Sequence, residues 1–387
     1  MSECVWLEGR AYIAGGLSRV KIGSRGCKPL QLSSRHIILP GFVDIHVHFR
    51  DWGLAYKETL AGGARSALAG GVVAVGDMPN TKPHIRTAEL YRKRMEEGSR
   101  LPIIYRLHMG VPEDVRELYA AKPHSVKVYP EDVEKYSWGH VEAVGGACAE
   151  LGCLLIFHCE DPAYLRDGDR PPEAELACVE RAGAIARRTG ARIHLTHITL
   201  PQTAELSRGW ATVDVTPHHL LLDRENCRHR GLCHVNPRLR TPELRKGLLA
   251  ALAAGMVDVY ATDHAPHTLE EKNSDNPPPG ICSLHVALSL LLSLWRAGVV
   301  ELSDVLRLYS FRPSRVLGID VGVELGFFTV VKLEEFVVRG GEFAGSCRHT
   351  PLEGFKAFGR IVATSVGGRV YFSDGEVYYI SPHVNRT

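Results

Sequence analysis

Of the 387 residues, 19 are histidine, and their spacing is the first chemical signal in the chain. VDIHVHFR sets His46, His48 and Arg50 two apart. Side chains alternate across a strand, so these three project from one face while Val47 and Phe49 project from the other. Two imidazoles so placed can share a divalent ion. Further along, LLIFHCED carries His158, IHLTHIT carries His194 and His197, and VYATDHAPH carries Asp263, His264 and His267. SVKVYP adds Lys127, an ionisable residue inside an apolar run.

Four His, one Asp and one Lys at six points suit two divalent ions, and nitrogen and oxygen donors are typical of zinc. An ammonium cannot ligate. A lysine carbamylated by carbon dioxide becomes a carboxylate on a long stem, and Lys127 in that form can span both ions. Two ions roughly 3.5–4 Å apart can share a hydroxide, lowering the pKa of the bound water from about 15.7 towards 7. Hydrolysis near neutral pH follows, with Asp263 taking the proton of the attacking hydroxide and passing it to a leaving nitrogen.

The elements that must position these groups are legible as eight short apolar, β-branched-rich runs, at 42–49, 72–78, 102–109, 125–130, 153–159, 192–199, 212–216 and 257–263. Helix signals lie between them: KETLAGGARSALAGG from Lys57, TAELYRKRMEEG from Thr87, PEDVRELYAA from Pro112 and TPELRKGLLAALAAG from Thr241. Thr241 can cap the last of these, with Pro242 at its first position. Strand and helix in alternation mean a parallel sheet. Eight repeats within about 250 residues fit a closed (β/α)8 TIM barrel, an α/β fold, better than an open sheet. No glycine-rich phosphate loop follows the first strand. The candidate ligands fall at the carboxyl ends of strands one, four, five, six and eight, the barrel face on which active sites are built. Taken singly, Lys127 reads as a snorkelling surface lysine and Arg50 as half of a rim salt bridge; the recurrence on one rim makes a site. Residues 1–40 and 320–387, rich in Val, Tyr, Phe and Gly with alternating runs such as RVYFSDGEVYYI, are expected to meet as a small β-domain around the 41–319 barrel.

Composition excludes several classes. With 45% apolar and 23% charged residues the chain can bury a sizeable core. A formal net charge of +2 is too balanced for a nucleic-acid partner. No apolar run is long enough to span a bilayer; the nearest, 281–295, is broken by Ser283, His285, Ser289 and Ser293. MSECVWLEGR lacks the features of a signal peptide, so a cytoplasmic protein without a membrane partner is expected. The ten cysteines show no CxxC pair and are expected to be scattered buried thiols. Few Asn and Gln, and 34 Arg against 12 Lys, lean towards a thermophilic source, where intracellular disulfides do occur.

Together PGFVDIHVHFR, DMPNT, KVY, FHCED, VNPRLR and ATDHAPHTLEEK strongly resemble the type I dihydroorotases of the metal-dependent amidohydrolase superfamily, over about residues 40–315. That resemblance implies reversible hydrolysis of L-dihydroorotate to N-carbamoyl-L-aspartate, in the synthesis of pyrimidines. It makes His46, His48 and Asp263 ligands of one zinc, His158 and His197 ligands of a second, and carboxylated Lys127 the bridge beside the shared hydroxide. It makes Arg50, Asn80 and His267 a clamp on the substrate carboxylate, Asn236 a further contact, and Pro279 and Gly280 a backbone wall of the pocket. An Arg fork suits an anionic substrate, whereas the related hydantoinases and dihydropyrimidinases, acting on neutral rings, usually lack the Arg two residues after the histidine pair. His194, His218, His219 and His264 are expected to support or pack, with Asp214 orienting one of them. Family members often dimerise and some assemble with aspartate carbamoyltransferase. Three departures stand out: RDWG (50–53) where the family usually has REPG, ICSLHVAL after PPPG, and GVELGFFTVVKLEE without the usual Ala-Asp pair. Two competing readings are an allantoinase or dihydropyrimidinase on the same fold, and a silent scaffold for a pathway partner.

Overall fold

The structure, a computed structural model, describes residues 5–13, 15–23, 28–166, 168–373 and 375–377. Cys4, Cys27 and the end of RVYFSDGEVYYI lie outside the described residues.

Strands β1 (Val5–Ile13), β2 (Gly16–Ile22), β3 (Lys28–Leu30) and β4 (His36–Pro40) precede nine short parallel pieces. These are β5 (Phe42–Val47), β6 (Val72–Asp77), β7 (Ile104–Leu107), β8 (Met109–Gly110), β9 (Ser125–Val128), β10 (Leu154–His158), β11 (Arg192–Thr196), β12 (Ala211–Val215) and β13 (Val259–Tyr260). Every residue of β5, β6 and β9 is buried. Strands covered on both faces read as continuous apolar runs, which is why FVDIHV and VVAVGD do not alternate. Strands β5, β6 and β7 form one parallel sheet; β8 to β13 form a second, in chain order.

Hydrogen bonds join the edges of these two sheets at both ends. Between β7 and β8 the chain passes through His108, whose backbone N–H donates to Asp77 O (2.9 Å). Its ring spans the joint, Nε2 donating to Ile45 O (2.9 Å) and Nδ1 accepting from Ser125 Oγ (2.5 Å). At the other edge Val47 bridges to His264, and His48 N–H donates to His264 O (2.8 Å). Buried Asp44 holds this seam by accepting from His46 N–H (3.1 Å), Thr262 N–H (3.2 Å) and Tyr309 O–H (2.9 Å).

Helices cover the parallel strands. Thr87 and Thr241 cap the helices Ala88–Gly98 and Pro242–Ala253, their hydroxyls accepting from Leu90 and Leu244 N–H, and Pro242 takes the first helical position. The helix expected from Lys57 runs Leu60–Ala69 because Thr59 is its cap, accepting from Gly62 N–H (3.0 Å). The helix expected from Pro112 starts only at Arg116. Strand six ends earlier than its apolar run because the backbone turns left-handed at His197 (φ 41); strand eight ends at Tyr260, three residues before left-handed Asp263 (φ 47).

The two ends of the chain share one sheet, in the order β17-β16-β15-β14-β4-β1-β2 with β3 paired to β1. Here β14 is Phe328–Val337, β15 Lys356–Val366, β16 Arg369–Ser373 and β17 Glu376–Val377. The join is β14 against β4, antiparallel, with Val330 opposite Ile38. Leu7, Ile38, Val330 and Ala363 pack its buried side. Among the described residues no helix is long and apolar enough to cross a membrane.

The expectation of scattered thiols is corrected by two disulfides, Cys227–Cys233 and Cys282–Cys347, with Cα atoms 5.8 and 6.4 Å apart. Spacing gave no sign of the second, because 65 residues separate its partners and only the fold brings them into bonding reach. Cys148, Cys153, Cys159 and Cys178 are buried free thiols.

The His108 joint gives a pH test. Burial lowers its pKa from 6.5 to about 3, so the folded state holds the neutral ring. A depressed histidine contributes stability that is complete above its unfolded value and is lost as pH falls from 6.5 towards 3. The melting-temperature gap between wild type and His108→Gln should therefore narrow between pH 7 and pH 4; a constant gap in calorimetry would refute the assignment.

Candidate active site

A cavity of about 250 Å³ opens at the carboxyl ends of the parallel strands. From β5 and its extension come His46, His48 and Arg50, and from the turn after β6 comes Asn80. His158 ends β10, His197 follows β11, and Asp263, Ala265 and His267 follow β13. Asn236, Pro279 and Gly280 complete the wall opposite. Gly280 has φ 148, and a Cβ there would press on Ala265 and His267, so backbone forms this wall. Lys127 does not line the cavity; it is fully buried on β9, its Nζ donating to Thr196 Oγ1 (2.8 Å).

The four candidate ligand imidazoles form a continuous row. Ring centroids are 5.3 Å apart for His48 and His46, 5.1 Å for His46 and His197, and 4.5 Å for His197 and His158. At one end Asp263 Oδ1 lies 2.9 Å from His48 Nε2 and 3.2 Å from His46 Nε2. His48 Nδ1 donates to Asn80 Oδ1 (2.6 Å), so a neutral ring turns its Nε2 lone pair towards Asp263. Two acceptors then face each other at 2.9 Å, which a cation between them would relieve. At the other end His158 Nε2 donates to Glu160 Oε2 (2.6 Å), leaving Nδ1 as its free donor atom. Arg170 holds Glu160 from behind. A ligating histidine commonly gives its second nitrogen to such a carboxylate.

The residues fit a divalent metal. His46, His48 and Asp263 offer ligand atoms within 4.8 Å of one another. His46 Nδ1 and His197 Nδ1 are buried without a hydrogen-bond partner among the described residues. Burial, with the neighbouring Lys127 and histidine rings, lowers the pKa of His46 and His197 well below 6.5, so both stay neutral with a lone pair to give. Lys127 itself is lowered to about 8, first by burial, against the pull of Asp214 and Asp263.

Around this centre the remaining groups are held firmly. Asp214 accepts from His197 N–H (2.6 Å) and pairs with His194 Nε2 (2.9 Å). His219 bonds Thr216 and Pro237, whereas neither ring nitrogen of His218 or His264 has a partner among the described residues. Arg50 donates from Nε to Pro266 O (3.2 Å), and its Nη2 packs 3.1 Å from His267 Nε2. His267 is engaged on both nitrogens, Nδ1 by Lys57 Nζ (2.9 Å) and Nε2 by Pro279 O (3.0 Å). Beneath Arg50, buried Arg94 donates to Asp77 Oδ2 (2.9 Å), Tyr105 Oη (3.0 Å) and the Arg50 carbonyl (3.3 Å).

Several working parts escaped the sequence. Tyr129, Glu131 and Arg170 also line the cavity. Lys272 is 2% exposed and donates to His234 O (3.1 Å), Pro278 O (2.9 Å) and Gly280 O (2.7 Å), tying together the loops that carry Asn236 and Gly280. Glu160 had a signal, sitting two residues after His158 on the same face; Arg170 and Lys272 had none.

Comparison with known proteins agrees with the geometry. The Amidohydrolase family profile matches residues 37–148. The chain is 70% identical to the dihydroorotase of Pyrobaculum aerophilum over 381 residues, covering 98% of this chain and 100% of the relative. It is 35% identical to the dihydroorotase of Methanopyrus kandleri, covering 91% and 89%. Among solved structures, the L-hydantoinase (dihydropyrimidinase) of Arthrobacter aurescens superposes with a TM-score of 0.85 at 20% identity, over 98% of each chain. A D-hydantoinase (dihydropyrimidinase) from a Thermus species gives 0.82 at 21% identity, over 97% of each. Those two likenesses concern the fold alone. Near-full-length identity of 70% is a family relationship, and the chain belongs to the dihydroorotases of the amidohydrolase superfamily.

Proposed function

We propose that this cyclic amidohydrolase interconverts L-dihydroorotate and N-carbamoyl-L-aspartate in pyrimidine synthesis, using the cavity bounded by Arg50 and Asp263. The observation that carries the reading is the pairing, in one cavity of about 250 Å³, of a guanidinium with a converging His-His-Asp cluster. The first suits a carboxylate on a small ring and the second suits attack on that ring's amide. The same reading takes β5 to β13 as one closed (β/α)8 barrel spanning 41–319, with the sheet of both termini as a small β-domain from 1–40 and 320–387. Its support is the hydrogen bonding at both seams, through His108 and through His48 with His264.

His46, His48 and Asp263 would hold one zinc, and His158 and His197 a second. Lys127, carboxylated, would serve both, and its lowered pKa leaves enough neutral amine near pH 7 to react with carbon dioxide. When bound, the ions would polarise the amide carbonyl and acidify a water. The chain's own residues do the rest. Arg50 presents the remainder of its fork to the substrate carboxylate. Asn80, with Oδ1 committed to His48, has its amide N–H groups left for the same carboxylate. Asn236 Oδ1, buried and without a partner among the described residues, can accept from a ring N–H. Asp263 keeps Oδ1 on the two imidazoles, so Oδ2 is the atom to take a proton from the attacking water and return it to the leaving nitrogen.

Three measurements test this. Replacing Arg50 with Met should raise KM for dihydroorotate roughly 10- to 100-fold, since a charge-assisted hydrogen bond is worth about 1.5–3 kcal/mol, while leaving turnover of neutral dihydrouracil or allantoin no better than trace. Activity confined to the neutral rings would overturn the substrate assignment. Protein purified without chelator should carry close to two zinc per chain by elemental analysis, lose activity with them, and lose metal on Lys127→Ala; turnover persisting after divalent ions are stripped would end the metal reading, and close to zero zinc per chain with no turnover would favour a scaffold. Lys272→Met removes the donor to three carbonyls and should raise KM more than it lowers kcat, because it displaces the wall of the cavity rather than the reacting groups.

A further inference from the structure

Cys159 and Cys178 are both fully enclosed, and their sulfurs lie 2.7 Å apart, closer than two unbonded thiols pack. Cys159 follows β10, between His158 and Glu160; Cys178 lies in the helix Pro172–Thr189. The same helix face already grips this region. Ala174 O accepts from Asp161 N–H (2.8 Å), and the Glu175 carboxylate accepts from Thr199 N–H (3.1 Å) and Thr203 O–H (2.6 Å) beyond β11. A bond between the two sulfurs would therefore reinforce an existing contact and needs no new approach of backbone.

We propose that Cys159–Cys178 is a cross-linking site, the reduced form of a disulfide that ties the end of β10 to this helix, in addition to Cys227–Cys233 and Cys282–Cys347. In the step, each thiol loses its proton and one S–S bond forms. The two electrons pass to a disulfide oxidant, whose own S–S bond is cleaved to two thiols through a mixed disulfide. The exchange belongs to folding, before the helix closes over Cys159. In the folded chain neither sulfur is reachable, so an oxidant cannot engage either thiol. The enclosure that would block late oxidation also shields a bond once made from reductant.

The test is to unfold the full chain in denaturant with reductant and refold it in a mixture of oxidised and reduced glutathione. Oxidant is raised until peptide mapping finds the Cys227–Cys233 and Cys282–Cys347 pairs linked, and free thiols are alkylated in denaturant without reductant. The expected result is a linked Cys159–Cys178 peptide pair, lighter by two hydrogens than the reduced pair, in protein that has regained its native spectrum. Cys178→Ala should remove that pair and lower the melting temperature of the oxidised protein by about 4 °C, as for a cross-link closing a loop of this length, with a much smaller difference between fully reduced wild type and variant. Cys159 and Cys178 both recovered alkylated, in protein whose other two cross-links have formed, would overturn the proposal.

Discussion

With Nδ1–H given to Asn80, a neutral His48 ring points the lone pair of Nε2 at Asp263 Oδ1 across 2.9 Å in a buried setting. The hydrogen bond from His48 to Asn80 fixes the ring so that this conflict cannot be escaped by exchanging tautomers. Left alone, opposed acceptors out of water are unfavourable; a divalent cation turns them into ligands. Much of the surrounding architecture has the effect of holding this pair in place. Asp44 fastens β5 to the start of the Asp263 turn through Thr262, and the His48–His264 backbone bond closes the same seam. The two sides of the conflict come from positions 215 residues apart, so the fold, not local sequence, sustains it.

The cost is visible in the backbone. Arg50, His197 and Asp263 all sit at positive φ, a region that side chains other than glycine populate rarely and that costs of order 1–3 kcal/mol per residue. Each lies one to three residues beyond the end of a strand, with its side chain lining the cavity. Two of them are also fixed by bonds that offset the strain: Arg94 to the Arg50 carbonyl and Asp214 to His197 N–H. Pre-organisation at the site is thus drawn from a second ring of buried polar groups that never reach the cavity.

That division explains what could be read in advance. His46, His48, His158, His197 and Asp263 were legible because strand alternation and strand ends place them without knowledge of the fold, and Lys127 because an ionisable group is out of place in SVKVYP. Arg50 was placed by the same alternation, while its part as a clamp, and Asn80 altogether, came from the family motifs. The second ring was mostly illegible. Lys272 lies in a helix of four residues and acts on carbonyls 38 and 8 residues away, so no periodicity marks it. Arg170 and the Cys282–Cys347 bond depend likewise on contacts between distant loops. At the sixth strand the end was missed because apolar composition continues past His197, where the backbone turns left-handed.

The RDWG departure shows the same logic at one position. Where relatives place a proline, Trp52 stands at φ 47, a value the pyrrolidine ring forbids because it locks φ near −65°. The loop after Arg50 therefore takes a path here that the proline form cannot follow, and it needs another means of support. The indole supplies it: Nε1 donates to Glu97 Oε2 (2.8 Å), while Lys93 and Arg94 lie over the ring at 5.6 and 5.5 Å. Asp51 adds bonds to Trp52 N–H (2.7 Å) and Leu60 N–H (3.0 Å). Because Arg94 also carries the Arg50 carbonyl, the substitution routes support for the proposed clamp through the helix Ala88–Gly98 rather than through a stiff loop. Fixing a guanidinium in this way depends on side-chain packing remote from the cavity, so the geometry of the clamp is coupled to the integrity of that helix.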